Sequence, residues 1–295
     1  PPPPPPPPTM VSSSAASDVY KRQVYDPVFD FIQHLIPPPP PHPLGCHRRR
    51  APDRVVFRGV LLRLVTGASW QTIEFMLGRQ VSDTTLRTRR DEWIEAGIFS
   101  QLIAQAMNAY HQVIGYDLHH VFIDGCNNDA IASEGTGFNP KHPGKQGWKF
   151  VIAVDNAGVP CSFTIDGANR QDYPMMFSVL DDLHTRHQTA LIGTLHADRG
   201  FNYTSTPTRL ANDYGLDDFR APPRNQPGHG RIKRCPSGPR WIVEATNSWL
   251  RSYGQLAHNT DRTTTHRHAA LSLAIALFLI HRITSTQHST WRPIR

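Results

Sequence analysis

Apolar residues recur at helical spacing over residues 55–105, in the first third of the chain. The intervals of three and four residues are seen at Val56, Val60, Leu61 and Leu64, then at Ile73, Met76 and Leu77, and then at Leu86, Trp93 and Ile94. Gly67 and Gly78 interrupt the pattern where helices would end, and Ser82 is placed to cap the next helix. The pattern predicts a small all-α domain, which we bound at residues 24–110.

After about residue 118 the pattern changes to short strands, which we place at His120 to Asp124, Trp148 to Asp155, Val159 to Asp166, Ala190 to Asp198 and Leu216 to Arg220. Helical segments are expected at Tyr173 to His184 and at Thr206 to Tyr214. The fourth strand is apolar almost throughout, which is typical of a central strand covered on both faces. The succession predicts an α/β fold, a mixed sheet flanked by helices, over residues 118–285.

Three other segments affect the domain limits. Residues 1–23 begin with eight prolines and resemble translated adaptor sequence, so we treat them as a non-native or disordered leader, and residues 286–295 as a tail. The proline run 37–41 predicts a stiff extended spacer. The apolar stretch from Ala269 to Ile280 is too short to cross a bilayer and predicts a buried core helix. No membrane association is expected.

The net charge indicates the class of partner, and the cysteine content indicates the cellular compartment. The chain has 31 Lys and Arg against 24 Asp and Glu, a net charge of +7, which favours a polyanionic partner, although many basic proteins have none. The four cysteines lie far apart with no Cys-x-x-Cys pair, as expected for reduced thiols in the cytoplasm.

Two groups of basic residues are candidate DNA contacts. Arg87, Arg89 and Arg90 follow Ser82 on the second helix of a pattern that resembles a helix-turn-helix. The segment 221–239 is rich in proline and glycine and contributes Arg231, Lys233 and Arg234. An ordinary surface helix and a solvated loop without ligand are the alternatives for these two groups.

Three acidic residues form the candidate catalytic site. Asp124 ends the first strand, Asp198 ends the fourth, and Glu244 lies in a helical run after the fifth. Each has a simpler explanation, as a turn residue or as part of a surface salt-bridge ladder of Glu244 with Arg240 and Arg251. Their order matters, because these positions converge in an RNase H-like sheet. Such a trio can hold two divalent cations, which suits phosphodiester chemistry.

The same residues carry a family resemblance. The motifs are Ile-Asp-Gly at 123–125, Ala-Asp-Arg-Gly-Phe at 197–201 and Arg-Trp-Ile-Val-Glu-Ala-Thr-Asn-Ser-Trp-Leu at 240–250. They resemble DDE transposases of bacterial insertion sequences, nearest to the insertion-sequence-five family. Further matches are the segments 57–70, 155–160, 167–172 and 271–282, so the resemblance covers roughly residues 25–283.

The resemblance implies an RNase H-like catalytic domain in which Asp124, Asp198 and Glu244 bind two Mg²⁺ or Mn²⁺ ions. Arg240 and Arg251 match the basic positions that flank the family's glutamate, and Arg199 stands where Lys is frequent. It further implies cleavage and strand transfer of double-stranded DNA, at the terminal inverted repeats of the element and at a target site, by a homodimer. Ser237 stands where the wider group often has Tyr, which affects positioning more than metal binding.

Three alternatives remain open at this point. The chain could be a catalytically decayed or domesticated DNA-binding protein, or an RNase H-like nuclease that cuts without joining. A histidine-based metal site is the third, although its candidates, His119, His120, His142, His266 and His268, are scattered over several predicted elements.

Overall fold

Helices precede a mixed sheet in the described part of this protein. The computed structural model describes residues 28–38, 50–223 and 240–284. The N-terminal helices are α1 (Asp53–Thr66), α2 (Trp70–Met76), α3 (Asp83–Glu95) and α4 (Ile98–Val113), after a 3₁₀ turn at Gln33–Leu35. The Ser82 side chain accepts a hydrogen bond from the Thr85 backbone N–H, 3.2 Å away, at the start of α3. The predicted helical region and its cap are therefore confirmed.

The sheet and its flanking helices make up the rest of the described chain. In chain order they are β1 (His120–Ala130), β2 (Gly137–Phe138), β3 (Gln146–Val154), β4 (Pro160–Gly167), α5 (Asp172–Thr185), β5 (Thr194–Ala197), α6 (Thr206–Tyr214), β6 (Phe219–Arg220), α7 (Trp241–Arg251), α8 (Gly254–Ala257), β7 (His258–Asn259) and α9 (Thr264–Thr284). The central order is β4-β3-β1-β5-β6, with β3 antiparallel to its neighbours and β5 and β6 parallel to β1. This confirms the predicted mixed α/β class.

Two strand boundaries differ from those predicted. Strand β1 does not end at Asp124 but continues to Ala130, because its second half pairs with β3 as far as Gln146. Strand β5 begins only at Thr194, since Thr189–Leu191 form a 3₁₀ turn instead of extended chain. Both errors arise from pairing partners that local sequence does not reveal.

The two faces of the sheet bury separate apolar clusters. One cluster joins residues of β1 and β3 with those of helices α1 to α4, α7 and α9, and the other joins the opposite face with α5 and α6. The N-terminal helices thus share a core with the sheet. The domain limits 24–110 and 118–285 stay a prediction, and residues 1–23 and 286–295 lie outside the described residues.

Helix α9 is the central element of the first cluster. Its 21 residues extend beyond the apolar stretch that predicted it and are long and apolar enough to span a membrane, yet 67% of its most apolar window is buried inside the protein. Residues from Ala269 to Leu279 are buried, and α9 packs against α4 and the sheet. The predicted core helix is confirmed.

Candidate active site

The two aspartates lie side by side because of strand register. Parallel pairing of β1 with β5 runs from His120 opposite Thr194 to Ile123 opposite Ala197. Asp124 and Asp198 are the next residue on each strand, at the point where the parallel ladder ends. Their carboxylates therefore share one edge of the sheet, as the sequence predicts.

Helix α7 brings the third carboxylate to this edge. Its buried side chains, Ile242, Val243 and Leu250, seat it on the first apolar cluster, which leaves Glu244 58% exposed on the opposite side. One turn beyond Glu244, the Asn247 amide donates a hydrogen bond to the Asp124 Oδ2 atom at 3.0 Å. The helix and strand β1 are thus tied together at the site.

Arg240, which caps the start of α7, joins all three acidic residues. Its guanidinium nitrogens lie 3.0 Å from the Asp198 Oδ1 atom, 3.5 Å from the Glu244 Oε1 atom and 4.0 Å from the Asp124 Oδ1 atom. The side chain is only 24% exposed, so these contacts are partly shielded from water. The three predicted carboxylates therefore converge around a single cationic group.

Asp124 has a strongly perturbed pKa. Burial raises the pKa of its carboxyl to about 6, and the neighbouring Asp198 and Glu244 charges add to the increase, whereas Arg240 and the Gly125 backbone N–H oppose it. A nearby cation stabilises the ionised form of such a carboxyl, because the added positive charge offsets the cost of its burial.

The donor set fits a hard divalent cation in charge and atom type, since carboxylate oxygens are the ligands that Mg²⁺ and Mn²⁺ prefer. Among the described residues, no three His, Cys, Asp or Glu side chains are gathered tightly enough to hold an ion as they stand. At this site the reason is geometric, since the Arg240 guanidinium lies between the carboxylates. A bound cation would take over the charge that Arg240 now supplies.

A cleft of about 450 Å³ opens beside these residues. Asp124 and Glu244 line it together with Arg251, Lys141, Ser248 and His258. Of these, Arg251 was predicted from sequence, but Lys141, His258 and the nearby Asn247 were not. Asn247 shares a helical face with Glu244 and could have been found from that spacing, whereas Lys141 comes from a loop without periodicity.

The predicted basic helix is largely occupied by internal ion pairs. Arg89 is buried and pairs with Asp53 and Glu92, and Arg90 contacts Asp91 and Asp261. Only Arg87 is exposed, and its guanidinium pairs with Asp83 one turn earlier. In this arrangement Arg89 and Arg90 pair with protein carboxylates, because packing of α3 turns them inward, and their contact with DNA stays a prediction.

The remaining predicted contacts are placed as follows. The Arg199 backbone N–H donates to the Asp198 Oδ1 atom at 2.6 Å, so this residue adjoins the acidic site. Arg231, Lys233 and Arg234 lie outside the described residues. The candidate histidines do not gather at one site. His119 and His120 are in ring contact, and His120 lies 3.1 Å from the His196 ring nitrogen, but His142 contacts Asp129, His266 contacts Asp91 and His268 packs against Phe163.

Comparison with known proteins gives consistent similarities. A family model described as "Putative transposase of IS4/5 family" matches residues 24–103, and one described as "Transposase DDE domain" matches residues 105–279. The chain is 28% identical over 147 residues to the "Putative transposase for insertion sequence element IS402" of Burkholderia cepacia, covering 48% of this chain and 67% of that one.

Two solved structures of Mos1 transposase are also similar, at low scores. A paired-end complex with the left transposon end matches with 10% identity and a TM-score of 0.31, covering 83% of this chain and 79% of that one. A pre-cleavage Mos1 transpososome matches with 8% identity and a TM-score of 0.26, covering 85% and 83%.

Proposed function

Since the chain belongs to the transposase DDE domain family, whose members cleave and join DNA, we propose that Asp124, Asp198 and Glu244 are its catalytic metal ligands. The observation that carries this proposal is the convergence of the three carboxylates, from β1, β5 and α7, around the Arg240 guanidinium. Surface carboxylates without a shared role have no reason to meet at one point from three separate elements.

The family generally depends on divalent metal ions, and we propose two Mg²⁺ or Mn²⁺ ions here. When bound, they would supply Lewis acidity and a lowered pKa for the attacking hydroxyl. Asn247 holds the Asp124 carboxylate in place through its 3.0 Å hydrogen bond. Arg240, once displaced from the carboxylates, and Arg251 on the cleft wall are positioned to neutralise phosphate oxygens.

The attacking group would be a water molecule in the first step and a 3′-hydroxyl in the second, each against a DNA phosphodiester. The outcome would be excision of the element and strand transfer to a target site. Double-stranded DNA with the terminal repeats of the element is the substrate in this proposal, bound by a homodimer in the cytoplasm. Phosphate contacts fix the register of such a complex, and base contacts select the ends.

The test compares wild-type protein, Asp124→Asn and Asp213→Asn on a DNA duplex that carries the element's termini, with Mg²⁺. Asp213 is a matched control, because it is an aspartate on α6 that pairs with Arg209 at the surface. We expect cleaved and joined products from the wild type and the control and none from Asp124→Asn. Equal cleavage by all three proteins would remove the site assignment.

The same experiment separates the alternatives. Cleavage without a joined product would indicate a nuclease. Metal-independent binding with neither product would indicate a DNA-binding protein that has lost its catalytic activity.

A further inference from the structure

Lys141 lies on the wall of the cleft beside the acidic site, in the loop that joins the short strand β2 to β3. It is exposed, and it lines the same cleft as Arg251, Ser248 and His258, with Asp124 and Glu244. The cleft is therefore lined both by acidic residues and by two cationic side chains. The family resemblance assigns no role to Lys141.

The loop that carries Lys141 is held in a defined conformation. The Asp129 carboxylate accepts hydrogen bonds from Asn139 Nδ2 at 3.0 Å, from His142 Nδ1 at 2.6 Å and from Lys145 Nζ at 3.1 Å. Asn139 is 1% exposed, and its Oδ1 atom accepts the Lys141 backbone N–H at 3.0 Å. Strand β1 thus fixes the backbone of Lys141 through Asp129.

Lys141 differs from the other lysines of the described chain in having no acidic partner. Lys145 pairs with Asp129 at 3.1 Å, and Lys149 pairs with Asp172 at 2.7 Å. Arg251 likewise has no ion pair within the described residues, whereas most arginines there do. Two unpaired cations on one cleft wall, one of them on a braced loop, are the arrangement expected where an anion completes the charge balance.

We propose that Lys141 and Arg251 form a phosphate-binding wall that holds the DNA strand adjoining the scissile phosphate. This inference rests on the proposed function and extends it to a residue on a different element. A DNA strand that enters the cleft brings its phosphates close to three carboxylates. The repulsion between the phosphates and the carboxylates must be offset by positive charge nearby. The Lys141 ammonium provides that charge from the loop between β2 and β3, and the Arg251 guanidinium provides it from α7.

The experiment measures how DNA affinity depends on salt. Wild type, Lys141→Gln and Arg209→Gln are titrated against a labelled duplex of unrelated sequence in EDTA, by fluorescence anisotropy over a series of NaCl concentrations. Each lost phosphate contact lowers the slope of log K against log salt by about 0.9. We expect this loss, with several-fold weaker binding, for Lys141→Gln only. Arg209→Gln is the control, since it removes one positive charge from an exposed side chain that is already paired, with Asp213 at 3.2 Å, and lies outside the loop that carries Lys141.

Equal slopes for wild type and Lys141→Gln would overturn the inference, and so would an equal loss in both variants, which would show only the effect of net charge. Thermal unfolding of both variants confirms that each is folded. The proposed function is judged separately on the DNA that carries the element's ends. If cleavage of that DNA depends on Asp124 and Lys141→Gln still has the wild-type slope, the role of Lys141 is rejected and the proposed function stands.

Discussion

Arg240 is the residue on which the acidic site depends in the absence of a metal ion. Its two terminal nitrogens reach Asp124, Asp198 and Glu244 at distances of 3.0 to 4.0 Å. Like charges at such close range repel each other strongly in a partly shielded site. The guanidinium therefore keeps the three carboxylates together, and a metal ion must compete with it.

Replacing Arg240 by Ala should make stability depend on metal. Without the guanidinium charge at the site, we expect a loss of about 2 kcal/mol in the free energy of unfolding, because three hydrogen-bonded or paired carboxylates lose their partner. Added Mn²⁺ should then raise Tm more in the variant than in the wild type. Scanning calorimetry with and without Mn²⁺ measures both effects. Arg170→Ala, at an exposed residue 3.9 Å from Asp166, is the control and should show neither.

The raised pKa of Asp124 predicts how metal binding varies with pH. Its carboxyl, with a pKa of about 6, stays neutral below that pH and must lose a proton before it can bind a cation. Affinity for Mn²⁺ should thus fall as pH drops below 6, up to about tenfold per pH unit. Electron paramagnetic resonance of free Mn²⁺ from pH 5 to 8 measures this. The same slope in Asp124→Asn would contradict the assignment.

In metal-free protein, the raised pKa of Asp124 makes its contribution to the free energy of unfolding larger at low pH than at high pH. The folded-state pKa of Asp124 lies above the unfolded value of 3.8, so the neutral carboxyl favours the folded state. That contribution is complete below about pH 4 and is lost as the pH rises through 6.

At the residue scale, sequence order indicated which side chains meet, whereas packing decided which of them are exposed. Asp124, Asp198 and Glu244 meet as their order implied. Arg89 and Arg90, by contrast, are turned inward by the packing of α3, which charge spacing alone cannot show.

At the scale of elements, the seat of helix α7 positions Glu244. The Thr246 hydroxyl donates to the Gly158 carbonyl at 2.8 Å, which joins the helix to the turn between β3 and β4. Gly158 has a φ of +74°, and a Cβ there would lie 3.3 Å from both Ile242 Cγ2 and Thr246 Oγ1. The turn is held by Asp155, a buried carboxylate that accepts the Ala157 and Val159 backbone N–H groups.

Gly158→Ala should therefore reduce DNA cleavage as well as stability. Left-handed backbone costs an alanine about 1–2 kcal/mol, and the added methyl group should also push α7 away from the sheet edge. Gly215→Ala is a matched control, since Gly215 has a φ of +69° and a Cβ there would meet nothing within 4 Å. Urea unfolding should show similar losses for both, and only Gly158→Ala should lose cleavage. Equal cleavage would mean that α7 does not depend on this turn.

Sequence patterns located most of the longer helices and strands of the described chain. The strand ends were less predictable. The length of β1 is set by β3, and the start of β5 is set by a 3₁₀ turn, so both depend on chain that is distant in sequence.

At the scale of the whole molecule, the N-terminal helices and the sheet share one apolar cluster. Buried polar contacts reinforce it: Arg63 of α1 pairs with Asp261 at 3.9 Å, and Arg267 of α9 donates to the Asp261 carbonyl at 2.8 Å. Because the pair of Arg63 with Asp261 crosses the predicted domain limit near residue 110, the two regions stabilise each other.

Unfolding should accordingly be a single cooperative transition. Far-ultraviolet circular dichroism, which reports mainly the helices, and tryptophan fluorescence, to which the buried Trp93 in α3 and Trp148 in β3 contribute, should give the same midpoint in urea. Leu273→Ala in α9 truncates a side chain that is 1% exposed and should lower the free energy of unfolding by about 2–5 kcal/mol. Both urea midpoints should then fall together. Separate midpoints would indicate that the helical region folds independently.

Strand β1 limits how mutations can alter this protein. It carries Asp124 at the sheet edge and, five residues further on, Asp129, which braces the Lys141 loop. Strand β1 thereby fixes the distance between the proposed catalytic carboxylates and the loop proposed to bind the DNA backbone. A mutation that shifts the pairing of this strand by a single residue would displace both the carboxylates and the loop. Gradual changes in how the DNA backbone is bound must therefore come from the loop and not from the strand.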